Sequence, residues 1–302
     1  MSESTTANPT ATNPASRPEA SHEVTVYTSE SPLAQPRQLV ADIARDLWAG
    51  RALAWRMFVR NLRGLYRQTF LGLFWAFLPP LANAAVWIIL RNSGAIDLAG
   101  DMQVSYAVYV VTGMVVWQSF VEALLAPLQA VQANRNLLSK LKFPRESVLL
   151  VRLLEVLFNL GIRLIVLLPM LFFLGPGISG NTFLALIPIL FLIMLGFGIG
   201  LFLMPFGMLY HDVSRFLMVV TPVWMIVTPI VYAPPKNWAT NPLNFLNPPS
   251  PLLSAARDLM VFNTTDQWLA AGIYSAIAVP LVLVGLVFYR LSIPILVERI
   301  ST

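Results

Sequence analysis

The chain has 302 residues, of which 57% are apolar and only 12% charged, and its mean hydropathy is +0.68. A soluble domain carries roughly a quarter of its residues as charges, so this composition excludes an ordinary water-soluble fold and leaves the membrane class. Twenty basic against fifteen acidic residues give a net charge of +5, and the lack of cysteine excludes disulfides, thiol catalysis and zinc sites built on Cys.

Residues 1–36 are rich in Ser, Thr, Ala and Pro and lack an apolar core segment, so they read as a disordered cytosolic tail without a cleavable signal peptide. Next comes an amphipathic stretch. Arg56, Arg60, Arg63 and Arg67 recur at i, i+4, i+7 and i+11, opposite Trp55, Phe58, Val59, Leu62 and Tyr66. That spacing predicts an interfacial helix, either anchored on anionic lipid or docking a partner. Six apolar stretches follow, each near the ~20 residues that cross hydrocarbon as a helix, with most charges confined between them. They predict spans at about 70–90, 104–126, 148–174, 183–206, 214–232 and 268–289. From Leu164 to Tyr210 there is no Asp, Glu, Lys, Arg or His, and the strict alternation of barrel strands is missing. Pro79-Pro80 predicts a kink, or a boundary between two half-helices, in the first span.

Basic residues collect before span one (Arg51 to Arg67) and between spans two and three (Arg135, Lys140, Lys142, Arg145), which predicts cytoplasmic termini. Leu137, Leu138 and Leu141 form a small apolar face in that second loop, ended by Pro144. A helix too short to build its own core leaves such a face for a cytosolic partner or for lipid headgroups. Between spans five and six, a proline-rich, weakly charged segment with Leu252, Leu253, Ala256, Leu259 and Met260 at helical spacing predicts short re-entrant helices, forming a gate or a rigid cap.

Inside the membrane, Arg152, Glu155, Asn159 and Arg163 draw a polar stripe along span three. It reads either as a hydrated path or subunit seam, or as structural pairing of Arg152 with Glu155 and of Arg163 with a neighbouring helix. Tyr106, Tyr109, Gly113, Trp117 and Phe120 share one face of span two, either as packing or as rings that stack on sugars. Gly196 and Gly200 form a GxxxG pair, a signal for close helix contact. No phosphate-binding P-loop, no HExxH motif and no paired carboxylates for acid–base work occur, and the only histidines are His22 and His211. The sequence therefore predicts a non-enzymatic subunit without a metal site or cofactor of its own.

Four segments carry a resemblance: Arg63-Gly64-Leu65-Tyr66-Arg67-Gln68-Thr69-Phe70-Leu71-Gly72-Leu73-Phe74-Trp75-Ala76, Lys142-Phe143-Pro144-Arg145-Glu146, Tyr210-His211-Asp212-Val213 and Thr228-Pro229-Ile230-Val231-Tyr232. Asn247-Pro248 followed by Arg257 adds a looser match. In order and spacing these resemble the membrane subunit of type-2 ABC exporters, in the branch exporting O-antigen, teichoic acid and capsular polysaccharide. Asn61 stands where that family usually has Asp, Leu65 where it has Arg, Pro79 where a Gln-Pro pair is usual, and His211 where it has Arg.

The resemblance implies an all-α, six-helix permease domain over residues 37–302 in a bacterial cytoplasmic (inner) membrane. It implies a homodimer bound to two copies of a cytosolic ABC ATPase that holds ATP and Mg. The cargo would be an undecaprenyl-linked glycan, and no nucleic acid is involved. Arg135, Asn136, Leu137, Leu138, Lys140, Leu141, Phe143, Pro144, Arg145 and Glu146 would form the ATPase-coupling element, flanked by the arginine-rich helix. Tyr106, Tyr109, Trp117, Trp224 and Arg163 are the expected pathway residues. Two other readings stay open at this point. One is an ABC exporter of a small lipid or drug; the other is an intramembrane transferase acting on polyprenyl-phosphate sugars, with Arg163 holding phosphate and Glu155 as base.

Overall fold

A computed structural model describes residues 36–67, 74–94, 104–140, 144–210, 212–234 and 237–301, and all regular structure in them is helical. Five segments are long and apolar enough to cross a membrane, which makes this a multi-pass membrane protein. They are α2 (Phe74–Asn92), α3 (Tyr106–Ala133), α5 (Glu146–Leu174), the consecutive α6 (Gly180–Leu184) and α7 (Leu186–Leu209), and α11 (Trp268–Ser301). The remaining predicted span, 214–232, is α8 (Asp212–Val227), of 16 residues, followed by a turn over 228–230. Pro229 disfavours helix at Thr228, so the ladder stops there with Thr228 N–H on Trp224 O at 3.1 Å. At 1.5 Å per residue α8 reaches about 24 Å, short of the ~30 Å hydrocarbon thickness.

At the centre lies α3, packed against α2, α5, α7 and the short α10 (Pro249–Val261). Its contact with α7 depends on missing side chains. A Cβ on Gly196 would stand 2.8 Å from the Phe120 carbonyl, and one on Gly200 would overlap the Leu124 carbonyl. The GxxxG pair thus marks a true backbone approach. Gly200→Ala is expected to lose about 1–3 kcal/mol by overpacking, whereas Gly161→Ala, which meets open space, leaves thermal unfolding in detergent unchanged. Equal unfolding temperatures for the two variants would refute this packing assignment.

The first helix, α1 (Pro36–Arg67), buries Leu39, Ile43, Ala54, Met57 and Phe58 and leaves Arg56, Arg60 and Arg63 exposed. Trp55, expected on the apolar face, is instead 57% exposed beside the arginines. The buried face meets α5, where Phe58 packs with Val151 and, edge-on, with Phe158. Gly50 lets α1 approach the start of α5, because a Cβ there would overlap the Ser147 hydroxyl.

Across Pro79 and Pro80, α2 runs unbroken, so the half-helix alternative is not realised. Proline lacks the N–H that would bond the carbonyl four residues earlier, and Pro80 therefore leaves Ala76 O without its helical donor. Arg163 Nε of α5 supplies the substitute at 3.0 Å.

Candidate functional site

The predicted stripe on α5 is present, and α3 answers it with a second one. Gln118, Glu122 and Gln129, at i, i+4 and i+11, line the same cleft as Arg152, Glu155 and Asn159, about 250 Å³ in volume. Glu122 falls inside the predicted second span, and α3 continues beyond it to Ala133, about 16 Å further at ~1.5 Å per residue.

Arg163 is only 1% exposed and donates through both terminal nitrogens to the Glu122 carboxylate, with Nη1 to Oε2 at 3.1 Å. Nη1 also reaches Ser119 Oγ at 3.3 Å, and Asn159 donates to Glu122 Oε2 at 3.5 Å. Toward the other end of the cleft, Arg152 pairs with Glu155 at 2.8 Å, and Asn61 of α1 donates to the free oxygen of Glu155 at 3.0 Å. An Asp at position 61 would set two carboxylates together. Two arginines and two glutamates leave the cleft with no net charge. Arg163, expected at an anionic head group, is spent on Glu122, Ser119 and Ala76, which is the structural pairing. The Glu155 carboxylate is likewise held on both oxygens and is poorly placed as a free base.

A second cluster gathers segments that are far apart in sequence. Tyr106 OH donates to Val231 O at 2.8 Å, and Tyr109 OH to Tyr232 O at 3.1 Å. Arg257, fully buried on α10, donates to Pro229 O, pairs with Asp258 at 2.9 Å and lies 4.0 Å from the Tyr109 ring centre. Burial raises the Asp258 carboxyl above the usual carboxylate value, and the Arg257 guanidinium opposes that rise. Trp224 Nε1 donates to Asn247 Oδ1 at 2.7 Å, and Asn247 Nδ2 to Thr228 Oγ1 at 2.9 Å. The stretch from Thr228 to Tyr232, the Asn247-Pro248 pair and Arg257 thus form one lock holding the end of α8 and the short helices against α3.

Tyr106, Tyr109 and Trp117 are at most 4% exposed, so in the single chain they line no open wall. In the single chain they take the packing alternative: two hydroxyls are bound to the 231–232 backbone, and Trp117 packs edge-on to Trp224 at 6.2 Å. Of the four rings proposed for a pathway, Trp224 lines a cleft. That cleft, of about 550 Å³, also contains Tyr232, Trp238 and Asn247.

The third cluster is at the other end of the bundle. Within α4 (Arg135–Lys140), Leu138 is 3% exposed and belongs to the main core, while Leu137 packs against the small cluster of Ala54, Met57, Phe58 and Val151 between α1 and α5. The apolar face expected to await a partner is therefore covered in part by the chain itself. Glu146 is also turned inward, 3.3 Å from Arg290, which holds Asp46 of α1 at 2.7 Å. Tyr289 OH donates to Arg145 O at 2.9 Å, and these groups border a cavity of about 660 Å³ that includes Pro144. Arg135 is half-buried. Leu141 and Phe143, and the side chains of Asn136, Lys140, Tyr66 and Arg67, lie outside the described residues. Among the described residues no group of three His, Asp or Glu side chains is placed to hold a metal ion.

These clusters define a multi-pass helical membrane protein with a polar cleft between α3 and α5 and a locked segment between α8 and α11. The chain is 25% identical over 196 residues to the "O-antigen export system permease protein RfbA" of Myxococcus xanthus, covering 63% of this chain and 72% of the relative. It is also 25% identical over 218 residues to a protein of the same name from Klebsiella pneumoniae, covering 68% and 79%. No protein-family model matches the chain. The relatives agree with the resemblance carried by the motifs: the chain resembles the permease subunit of a type-2 ABC exporter.

Proposed function

We propose that this chain is the transmembrane subunit of an ATP-driven exporter that moves a lipid-linked polysaccharide across the bacterial cytoplasmic membrane. The observation that carries the reading is the meeting of the Thr228 to Tyr232, Asn247-Pro248 and Arg257 segments in one buried lock, alongside likeness to two O-antigen export permeases. The small-lipid, small-drug and transferase readings are weaker, because the relatives are named for O-antigen export and both Arg163 and Glu155 are already paired.

In this reading the chain crosses the membrane six times, α8 with its terminal turn being the fifth crossing, and both termini are cytoplasmic. The short helices between α8 and α11 dip back into the outer leaflet. With three exposed guanidinium groups beside an exposed Trp55, α1 lies in the cytoplasmic interface. Two copies assemble as a homodimer, with the sparsely packed α2 and α8 as the seam. ATP and Mg are held by two copies of a separate ATPase, which engages the 135–146 element. The Glu146–Arg290–Asp46 contacts, of which Glu146 is buried, support its role as a lever, because they join that element to α1 and α11.

Affinity purification from the cell of origin tests the partner. An ABC-type ATPase should co-purify in equal amount with this chain. Recovery of the chain without any nucleotide-binding protein would overturn the proposal.

A further inference from the structure

We infer that the α3–α5 cleft is a hydrated binding groove for the uncharged, hydroxyl-rich part of the glycan, an inference that rests on the exporter reading above. The cleft runs in depth from Gln129, about 6 Å from the α3 end at Ala133, to Gln118, about 22 Å from it. It therefore covers much of the half of the bundle that adjoins α4. Its volume of about 250 Å³ has room for about eight waters at ~30 Å³ each.

Three properties select the occupant. The lining is predominantly polar in a bundle otherwise faced with hydrocarbon-seeking side chains, and polar groups at that depth face protein or water. The charges pair off at the cleft, Arg163 on Glu122 and Arg152 on Glu155, which leaves no free cation for a phosphate there among the described residues. What remains uncommitted are carboxamides. Gln118 and Gln129 have no hydrogen-bond partner among the described residues, and Asn159 has only its long bond to Glu122. A carboxamide offers two donors and an acceptor that pair with vicinal hydroxyls, and leaving it unmet in a dry membrane is costly. Water fills the groove at rest and sugar hydroxyls replace it.

The absence of cysteine makes the groove directly testable by labelling. Val121→Cys puts a single thiol in the cleft, and Leu157→Cys puts one on the exposed face of α5 at similar depth. In the complex with its ATPase, in inside-out vesicles, a membrane-impermeant thiol reagent should label Val121→Cys about tenfold faster than Leu157→Cys, since only a hydrated thiol ionises readily. Adding the polyprenyl-linked glycan extracted from the same cells should slow labelling at Val121→Cys several-fold. Introducing Q118L and Q129L together should remove that protection while the protein stays folded, as no hydrogen bond within the described chain is lost.

Equal, slow labelling at both thiols would overturn the inference by showing a dry groove. Fast labelling without glycan protection would overturn it too, by showing water alone. Protection in a complex that moves no glycan would sustain the groove and defeat the exporter reading. Movement of glycan without protection would do the reverse.

Discussion

Arg163→Met is expected to destabilise the protein by about 3 kcal/mol, the lower end of the range for breaking a buried ion pair. The cause is what remains behind. Glu122 would sit in mid-bundle without its guanidinium, and Ala76 O, already deprived of its helical donor by Pro80, would lose the substitute as well. Glu122 is 25% exposed on its side chain, so the cleft offers some solvation, and that sets the magnitude at the lower end. Replacing both partners, Arg163→Met with Glu122→Leu, should recover most of the loss, because apolar replacement of a whole pair is often neutral. The comparison is made by thermal unfolding in detergent. If the single variant melts with the wild type, Arg163 does not join α2, α3 and α5 as described.

Phe143→Asp is expected to abolish association with the ATPase while leaving the fold intact. A charge placed in a docked apolar contact typically removes several kcal/mol of binding, which lowers affinity by more than a hundredfold. Leu138→Asp is a different experiment. Leu138 is in the chain's own core, so this change should reduce folded protein rather than docking alone. Pull-down of the ATPase, normalised to folded chain by size-exclusion chromatography, separates the two effects. Full retention of the ATPase by Phe143→Asp would remove the 141–143 segment from the docking surface.

Much of the architecture is legible in the sequence because a bilayer leaves few solutions for an uncharged stretch of ~20 residues. Arg152 with Glu155 was legible too, since an i, i+3 pair within one helix needs no tertiary information. The partner of Arg163 was not, because which side chain of α3 meets α5 depends on how the two helices pack, and local spacing does not specify that. The aromatic face of α3 was legible only in part. Its spacing is visible, but whether a ring faces a channel or a neighbouring backbone depends on where the 228–232 turn folds back, and no local pattern encodes that. Leu138 is similar: an apolar face on a short helix implies cover without saying whether another chain provides it. Asn61 became interpretable only beside Glu155.

The central claim is that this chain carries the path and another protein supplies the energy. Translocation of the cell's own lipid-linked glycan should be measured in proteoliposomes containing the chain with its ATPase, the chain alone, and the ATPase alone. Movement of glycan only in the paired sample, and only with ATP and Mg, is expected. ATP-independent conversion of the lipid-linked glycan by the chain alone, or no movement in an intact and ATP-hydrolysing pair, would contradict it.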